Sequence, residues 1–388
     1  MATILVMMLV MVLLGSLFFG DNDQGIVLAE NLRVIEKPKF FPVVDSHMHI
    51  DPVPALYDFA LKVMDGAGIA ACVNLYGGHG RRLEKSLALA AKHRGRFVTF
   101  CDVRPNDKDW ASPKLGEKLA GIIRESHAMG AVGFGEVVKW GLYGKVKWDE
   151  ARLEPMWEAL EELKMPINWH VADPTRYWRP ASVTNCLEAP GYYKGFPLKH
   201  ELIMQQERVL ERHPKLVVIA AHANWLNDQI PHLIYRLETY PNYHFDLSAA
   251  CDEFGRMPEE FYDLCVKYSG RIFFGTDPVY THSLVRRYGG AKKAASHLKA
   301  FYIAHYLFLG TRQRMIPCAW KGGPGRHFVG YENGFARFAN DGVALPDEVL
   351  KAIYYGNAER LFGIKVSGWR PARGFSYQIA PPAKGCGG

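Results

Sequence analysis

From Val43 to Asp277, short apolar runs rich in β-branched residues alternate eight times with stretches of helical spacing. The runs read as strands cover residues 43–50, 69–75, 96–103, 131–138, 166–171, 215–222, 243–248 and 271–277. A helix between two strands carries the chain back to the same end of the sheet, so strands joined this way run parallel. Eight such units predict an α/β fold of the (β/α)8 TIM barrel type. An open doubly wound sheet is the competing arrangement. It lacks its usual signature, because no GxGxxG follows the first strand and Gly77-Gly78-His79-Gly80 has the wrong spacing.

By length alone, 388 residues suggest two or three domains, but one barrel accounts for residues 38–365. Two connections are longer than such units need, Asp173–Lys199 after strand five and Pro278–Leu345 after strand eight. Both are expected as enlarged loops over the C-terminal face, the second carrying a helix near Lys292–Leu309. Pro346–Phe362 reads as the closing helix and residues 366–388 as an irregular tail. Met1–Gly20 holds no charged residue, and Val27-Leu28-Ala29 offers small side chains at a cleavage position. Residues 1–29 are therefore expected to be a signal peptide or an N-terminal membrane anchor, and the protein to be exported or membrane-anchored. The net charge of +7 is spread along the chain without a basic block, which excludes a nucleic-acid surface. Seven cysteines without CxxC spacing read as free thiols, neither a disulfide framework nor a zinc site. The expected partner is a small-molecule substrate, with homo-oligomerisation left open.

The chemistry sits at the strand ends. His47 and His49 are two residues apart on strand one, so both side chains leave the same face. Strand five ends at His170, strand six at His222 and strand eight at Asp277, while strand four carries Glu136. Each polar side chain terminates or interrupts an apolar run where a barrel opens. Imidazoles and carboxylates converging there predict a divalent metal site, with Zn2+ best suited and Mn2+, Fe2+ or Co2+ as competitors. Such an ion lowers the pKa of bound water from 15.7 toward about 7. Asp277 would take the water proton and deliver it to the leaving group, and His222 would polarise a substrate carbonyl or stabilise an oxyanion. Asp45 shares the face of His47 and His49 and is placed to orient one of them. Arg104 after strand three and Lys139, Asn224 and Trp225 in the mouth loops are candidate substrate contacts. Asp173, Arg176, Tyr177, Trp178 and Arg179 would form a lid.

This pattern resembles the amidohydrolase superfamily of metal-dependent barrels, and most closely its amidohydrolase-related (amidohydrolase 2) branch. Similar stretches include Val43–His49, Ile167–Pro174, Glu207–Asn224, Arg271–Pro278 and Leu345–Leu361. The resemblance implies that His47, His49, His170 and Asp277 bind the metal. It implies that His222 binds a second metal or acts on substrate, and that Glu136 is a ligand or Lys139 a carboxylated bridge. It also implies a hydrolase that cleaves a C–O or C–N bond of a lactone, ester or amide. A carboxy-lyase on the same site is the alternative, and an exported metal-binding barrel without turnover is a third reading.

Overall fold

The computed structural model describes residues 32–178, 195–317, 339–371 and 375–378. The expected signal peptide or anchor at residues 1–29, Arg179, Tyr192, Tyr193, Cys186, Cys318, Cys386 and Gly322–Gly325 lie outside the described residues, as do the side chains of Arg176 and Tyr177. Among the described residues no helix is long and apolar enough to cross a membrane.

The strands are β1 (Val43–Ile50), β2 (Ile69–Asn74), β3 (Phe97–Cys101), β4 (Gly133–Val138), β5 (Ile167–His170), β6 (Val218–Ala220), β7 (Tyr243–Asp246), β8 (Ile272–Phe273) and β9 (Val279–Tyr280). They run in the order β8-β7-β6-β5-β4-β3-β2-β1-β9, and every pairing is parallel. The two ends of this order are one stretch of chain, 272–280. Its start pairs with β7 and its end pairs with β1, which closes the ring. The single eighth strand expected over Arg271–Asp277 is thus split. Asp277 turns into the left-handed region at φ 63°, and Pro278 has no N–H to give. Isolated bonds bridge the gap, from Ser46 N to the Phe274 carbonyl (2.9 Å) and from Asp277 N to the His47 carbonyl (2.8 Å).

Helices α1 (Pro54–Ala67), α2 (Arg81–Ala91), α3 (Leu115–Met129), α4 (Glu154–Glu162), α5 (Lys199–Arg212), α6 (Ile230–Thr239) and α7 (Pro258–Tyr268) follow the first seven strands. In α1, proline opens the first turn and Leu56, Ala60, Val63 and Ala67 form the buried stripe. Gly68 ends the helix at φ 78°. With helices outside and side chains filling the ring, β1 and β2 are buried along their whole length. The connection after β9 contains α8 (Ala291–Gly310), within a residue of the expected helix at each end and buried along most of its length. The closing helix consists of α9 (Asp347–Lys351) and α10 (Asn357–Phe362), joined by a π-helical turn, Ala352–Gly356. The Phe274 N–H bonds to the Ile353 carbonyl of that turn at 3.0 Å, fastening the seam to the C-terminal helix. The tail packs on the barrel: Phe375 meets Phe40 at 5.6 Å between ring centroids, and Tyr377 is buried.

Strand six also stops early. Its residues pair only over Val218–Ala220, and His222, Ala223, Asn224 and Trp225 turn left-handed at φ 56, 53, 52 and 54°. A non-glycine residue there costs roughly 1–2 kcal/mol. Three contacts offset that cost. His222 N donates to Asp246 Oδ1 at 3.0 Å, Asn224 Nδ2 donates to Gln206 Oε1 at 2.7 Å, and the buried Lys199 ammonium donates to the Trp225 carbonyl.

Candidate metal centre

At the C-terminal ends of the strands, Glu136 stands between two pairs of histidines. Its Oε2 lies 3.5 Å from His47 Nε2 and 3.3 Å from His49 Nε2. Its Oε1 lies 2.7 Å from His170 Nδ1 and 3.3 Å from His222 Nε2. Asp277 approaches from the seam, with Oδ1 3.0 Å from His49 Nε2 and 3.6 Å from His47 Nε2, and Oδ2 3.8 Å from His222 Nε2. All six side chains are nearly excluded from solvent. Gly135 lets β4 approach β5 closely beside Glu136. It sits at φ 118°, and a Cβ there would come within 2.3 Å of the Asn168 carbonyl oxygen.

The donor set fits a divalent cation. The buried Nε2 of His47 makes no hydrogen bond, although two carboxylate oxygens stand within 3.6 Å. Nε2 facing anionic oxygens is favourable only with a positive charge there, carried by the imidazole itself or by a bound cation. His47, His49 and Asp277 bring ligand atoms within 4.8 Å of one another, and so do His47, Glu136 and His222. The electrostatics agree. Burial opposes charge on His47, but Asp246 and Glu136 outweigh it and hold its pKa up at about 9. Burial likewise opposes ionisation of Glu136, yet His47, His170 and His222 hold its carboxyl well below the usual range.

A second layer orients the imidazoles. His47 Nδ1 donates to Asp246 Oδ2 at 2.9 Å. His222 Nδ1 lies 2.7 Å from the Ser248 carbonyl, which can only accept, so the proton is on Nδ1 and Nε2 carries the lone pair. Burial first, then the neighbouring His170 and His47, push His222 down to about 4 against the pull of Glu136. A neutral His222 with its lone pair inward suits ligation or proton acceptance. It does not suit the oxyanion-donor role expected from the sequence, which needs an N–H at Nε2.

Other expected residues fall into distinct places. His170 joins the cluster, but its second nitrogen contacts Asp173 Oδ1 at 3.0 Å, and it belongs to neither three-donor group. Lys139 Nζ pairs with Asp173 Oδ2 at 2.6 Å. Burial works against that ammonium, but Asp173 raises its pKa, and a held ammonium is not the free amine a carboxylated bridge requires. Trp225 lies against His222, with ring centroids 5.2 Å apart. Arg104 is 70% exposed and sits over the Tyr76 ring, which in turn meets His49 at 4.3 Å. Asn224 turns away from the cluster toward Gln206 and Tyr243, because the left-handed turn reverses its direction. Asp45 orients no imidazole. It accepts from the backbone N–H of His47 and Thr276 (both 3.1 Å) and from Tyr302 (2.8 Å), and so ties β1 to the seam. Asp246, Ser248 and Tyr76 were not anticipated. The one available hint was the polar Asp246–Ser248 ending to an apolar strand.

The amidohydrolase family model matches residues 44–364. The chain belongs to the amidohydrolase family. This amidohydrolase is similar to solved structures at low identity. A 2,6-dihydroxybenzoate decarboxylase from Rhizobium is 16% identical, with 84% of this chain and 99% of that chain covered at a TM-score of 0.46. A 5-carboxyvanillate decarboxylase from Sphingomonas paucimobilis is 12% identical, with 84% and 100% covered at 0.47. A dihydroorotase from Campylobacter jejuni is 14% identical, with 87% and 88% covered at 0.44. Likenesses this distant identify neither substrate nor reaction. No curated protein matches the chain.

Proposed function

We propose that this amidohydrolase is a metal-dependent hydrolase that cleaves a C–O or C–N bond of a small lactone, ester or amide. The observation that supports this most is the position of Asp277, whose two oxygens approach histidines on opposite sides of the cluster. His47, His49 and Asp277 would hold the ion. Glu136 would join them as a further carboxylate ligand, its two oxygens directed at different histidine pairs. The imidazole-rich set favours Zn2+ over Mn2+, Fe2+ or Co2+. When bound, the cation supplies the Lewis acidity that brings water toward a pKa of about 7.

The chain's own groups do the rest. Asp277 accepts the proton of the attacking water and passes it to the departing oxygen or nitrogen. Its main-chain bond to His47 holds it beside β1. Tyr76 and Trp225 form aromatic walls beside His49 and His222, and Arg104 offers an exposed cation at the rim for an anionic part of the substrate.

The test is a panel of lactones, esters, amides and aromatic carboxylates presented to Zn2+-reconstituted protein, with acid release and CO2 followed in parallel. Acid release without CO2, abolished by a chelator, is expected. CO2 release from a carboxylate without hydrolysis of any panel member would overturn the reading.

A further inference from the structure

One buried carboxylate outside the ligand cluster touches both sides of it. Asp246, at the end of β7, is fully buried and accepts from five donors. Its Oδ2 takes His47 Nδ1–H at 2.9 Å and Asn168 Nδ2–H at 3.0 Å. Its Oδ1 takes the backbone N–H of His222 at 3.0 Å, the backbone N–H of Ser248 at 3.1 Å and the Ser248 hydroxyl. The next two residues complete the arrangement, because the Ser248 carbonyl receives His222 Nδ1–H.

We propose that Asp246 is a positioning residue that fixes the His47 tautomer and anchors the left-handed turn carrying His222, so that both histidines present Nε2 lone pairs to one cation pocket. The inference rests on the metal reading of the site and adds a determinant of metal affinity that is not itself a ligand.

The chemistry of the five donors makes the assignment sharp. Two of the groups on Oδ1 are backbone N–H, which can never accept. In Asp246→Asn the amide oxygen must therefore stay on that side, and the NH2 must face His47. Two N–H groups cannot share one hydrogen bond, so the arrangement favours a His47 that gives up its Nδ1 proton and accepts there over one that keeps the proton for the Ser248 hydroxyl, 3.0 Å away. The proton then resides on Nε2, where it blocks ligation. The substitution is nearly isosteric, and the loss is electronic, not one of shape.

The experiment pairs Zn2+ affinity, by competition with a chromophoric chelator, with histidine 15N NMR of the Zn2+-loaded, histidine-labelled protein. The His47 signals are identified from their absence in His47→Gln. In the wild type, His47 is expected to carry its proton on Nδ1 and bind through Nε2. In Asp246→Asn, Zn2+ should bind about 10- to 100-fold more weakly, with His47 protonated on Nε2. A general structural lesion would weaken binding without inverting the tautomer. Wild-type affinity with an unchanged His47 tautomer in Asp246→Asn would overturn the inference, and so would ligation of wild-type His47 through Nδ1, which decides the matter even where the variant does not fold. A wild-type protein that binds no Zn2+ would instead refute the metal reading.

Discussion

His244 offers a test of the site's surroundings that needs no substrate. It lies on β7 two residues before Asp246, with its ring edge-on to Phe273 at 5.7 Å and its Nδ1 buried without a hydrogen-bond partner. Burial, and then the positive charges of Arg271 and Arg360, push its pKa down to about 3. An unfolded chain binds that proton near 6.5. The sign follows from linkage: below 6.5 the unfolded state takes up a proton that the folded state refuses, so stability falls as pH falls, until pH reaches about 3. Between 6.5 and 5 this spans about 1.5 pH units at about 1.4 kcal/mol each, or about 2 kcal/mol. That figure needs only a folded pKa well below 5, so it does not depend on the full size of the shift. His244→Leu keeps the bulk and removes the proton site. Urea unfolding of the metal-free wild type and variant at pH 7 and pH 5 should show the wild type losing about 2 kcal/mol more than the variant. His222 and His305 also resist protonation, at about 4 each, but they are present in both proteins and cancel. A gap below about 0.5 kcal/mol, close to the uncertainty of such extrapolations, would refute the buried-neutral account of His244.

Three further outcomes are expected. Asp277→Asn should retain most of its Zn2+ by elemental analysis while hydrolytic kcat falls about 100-fold or more; unchanged turnover would remove Asp277 from its assigned role. His47→Ala combined with His49→Ala should abolish Zn2+ binding in equilibrium dialysis, and full occupancy in that double variant would contradict the donor set. Gly135→Ala should cost about 1–3 kcal/mol through overpacking against the Asn168 carbonyl, and more for its positive φ. Zn2+ affinity should fall with it, since Glu136 is the next residue; a thermal unfolding midpoint equal to wild type would show that the backbone accommodates the methyl group.

The parts of the site visible in the sequence are those where one strand's periodicity settles direction. His47 and His49 share a face because side chains alternate along β1, and His170 ends β5, which runs regularly up to the mouth, whereas β4 is irregular between Phe134 and Val137, at Glu136 itself. Period-two reasoning fails where the backbone leaves the strand. His222 reaches the cluster from a left-handed turn, and the same turn carries Asn224 to the far side, although both were placed at the mouth on one footing. Asp277 was found by its position after an apolar run, but the break in the eighth strand was not, since Asp277's own φ causes it. Asp246 and Ser248 stayed hidden for another reason. One partner, His222, follows the neighbouring β6, but the other, His47, lies on β1, and no local spacing encodes a contact between residues about 200 positions apart. The alternation of eight strands and helices was legible throughout, because burial on both faces demands continuous apolar runs.

The split eighth strand has a consequence for when the donor cluster comes together. The seam joins β1, near the start of the described chain, to residues 272–280, and it is fastened through Phe274 to Ile353 in the last helix. During synthesis the first two histidines leave the ribosome long before Asp277, and the turn that braces Asp277's segment leaves later still. Closing so long a loop is slow and comes late in folding. The donor cluster is therefore assembled only once the chain has emerged through the closing helix, and a product truncated before Asp277 carries β1 histidines with no carboxylate from the seam to complete them.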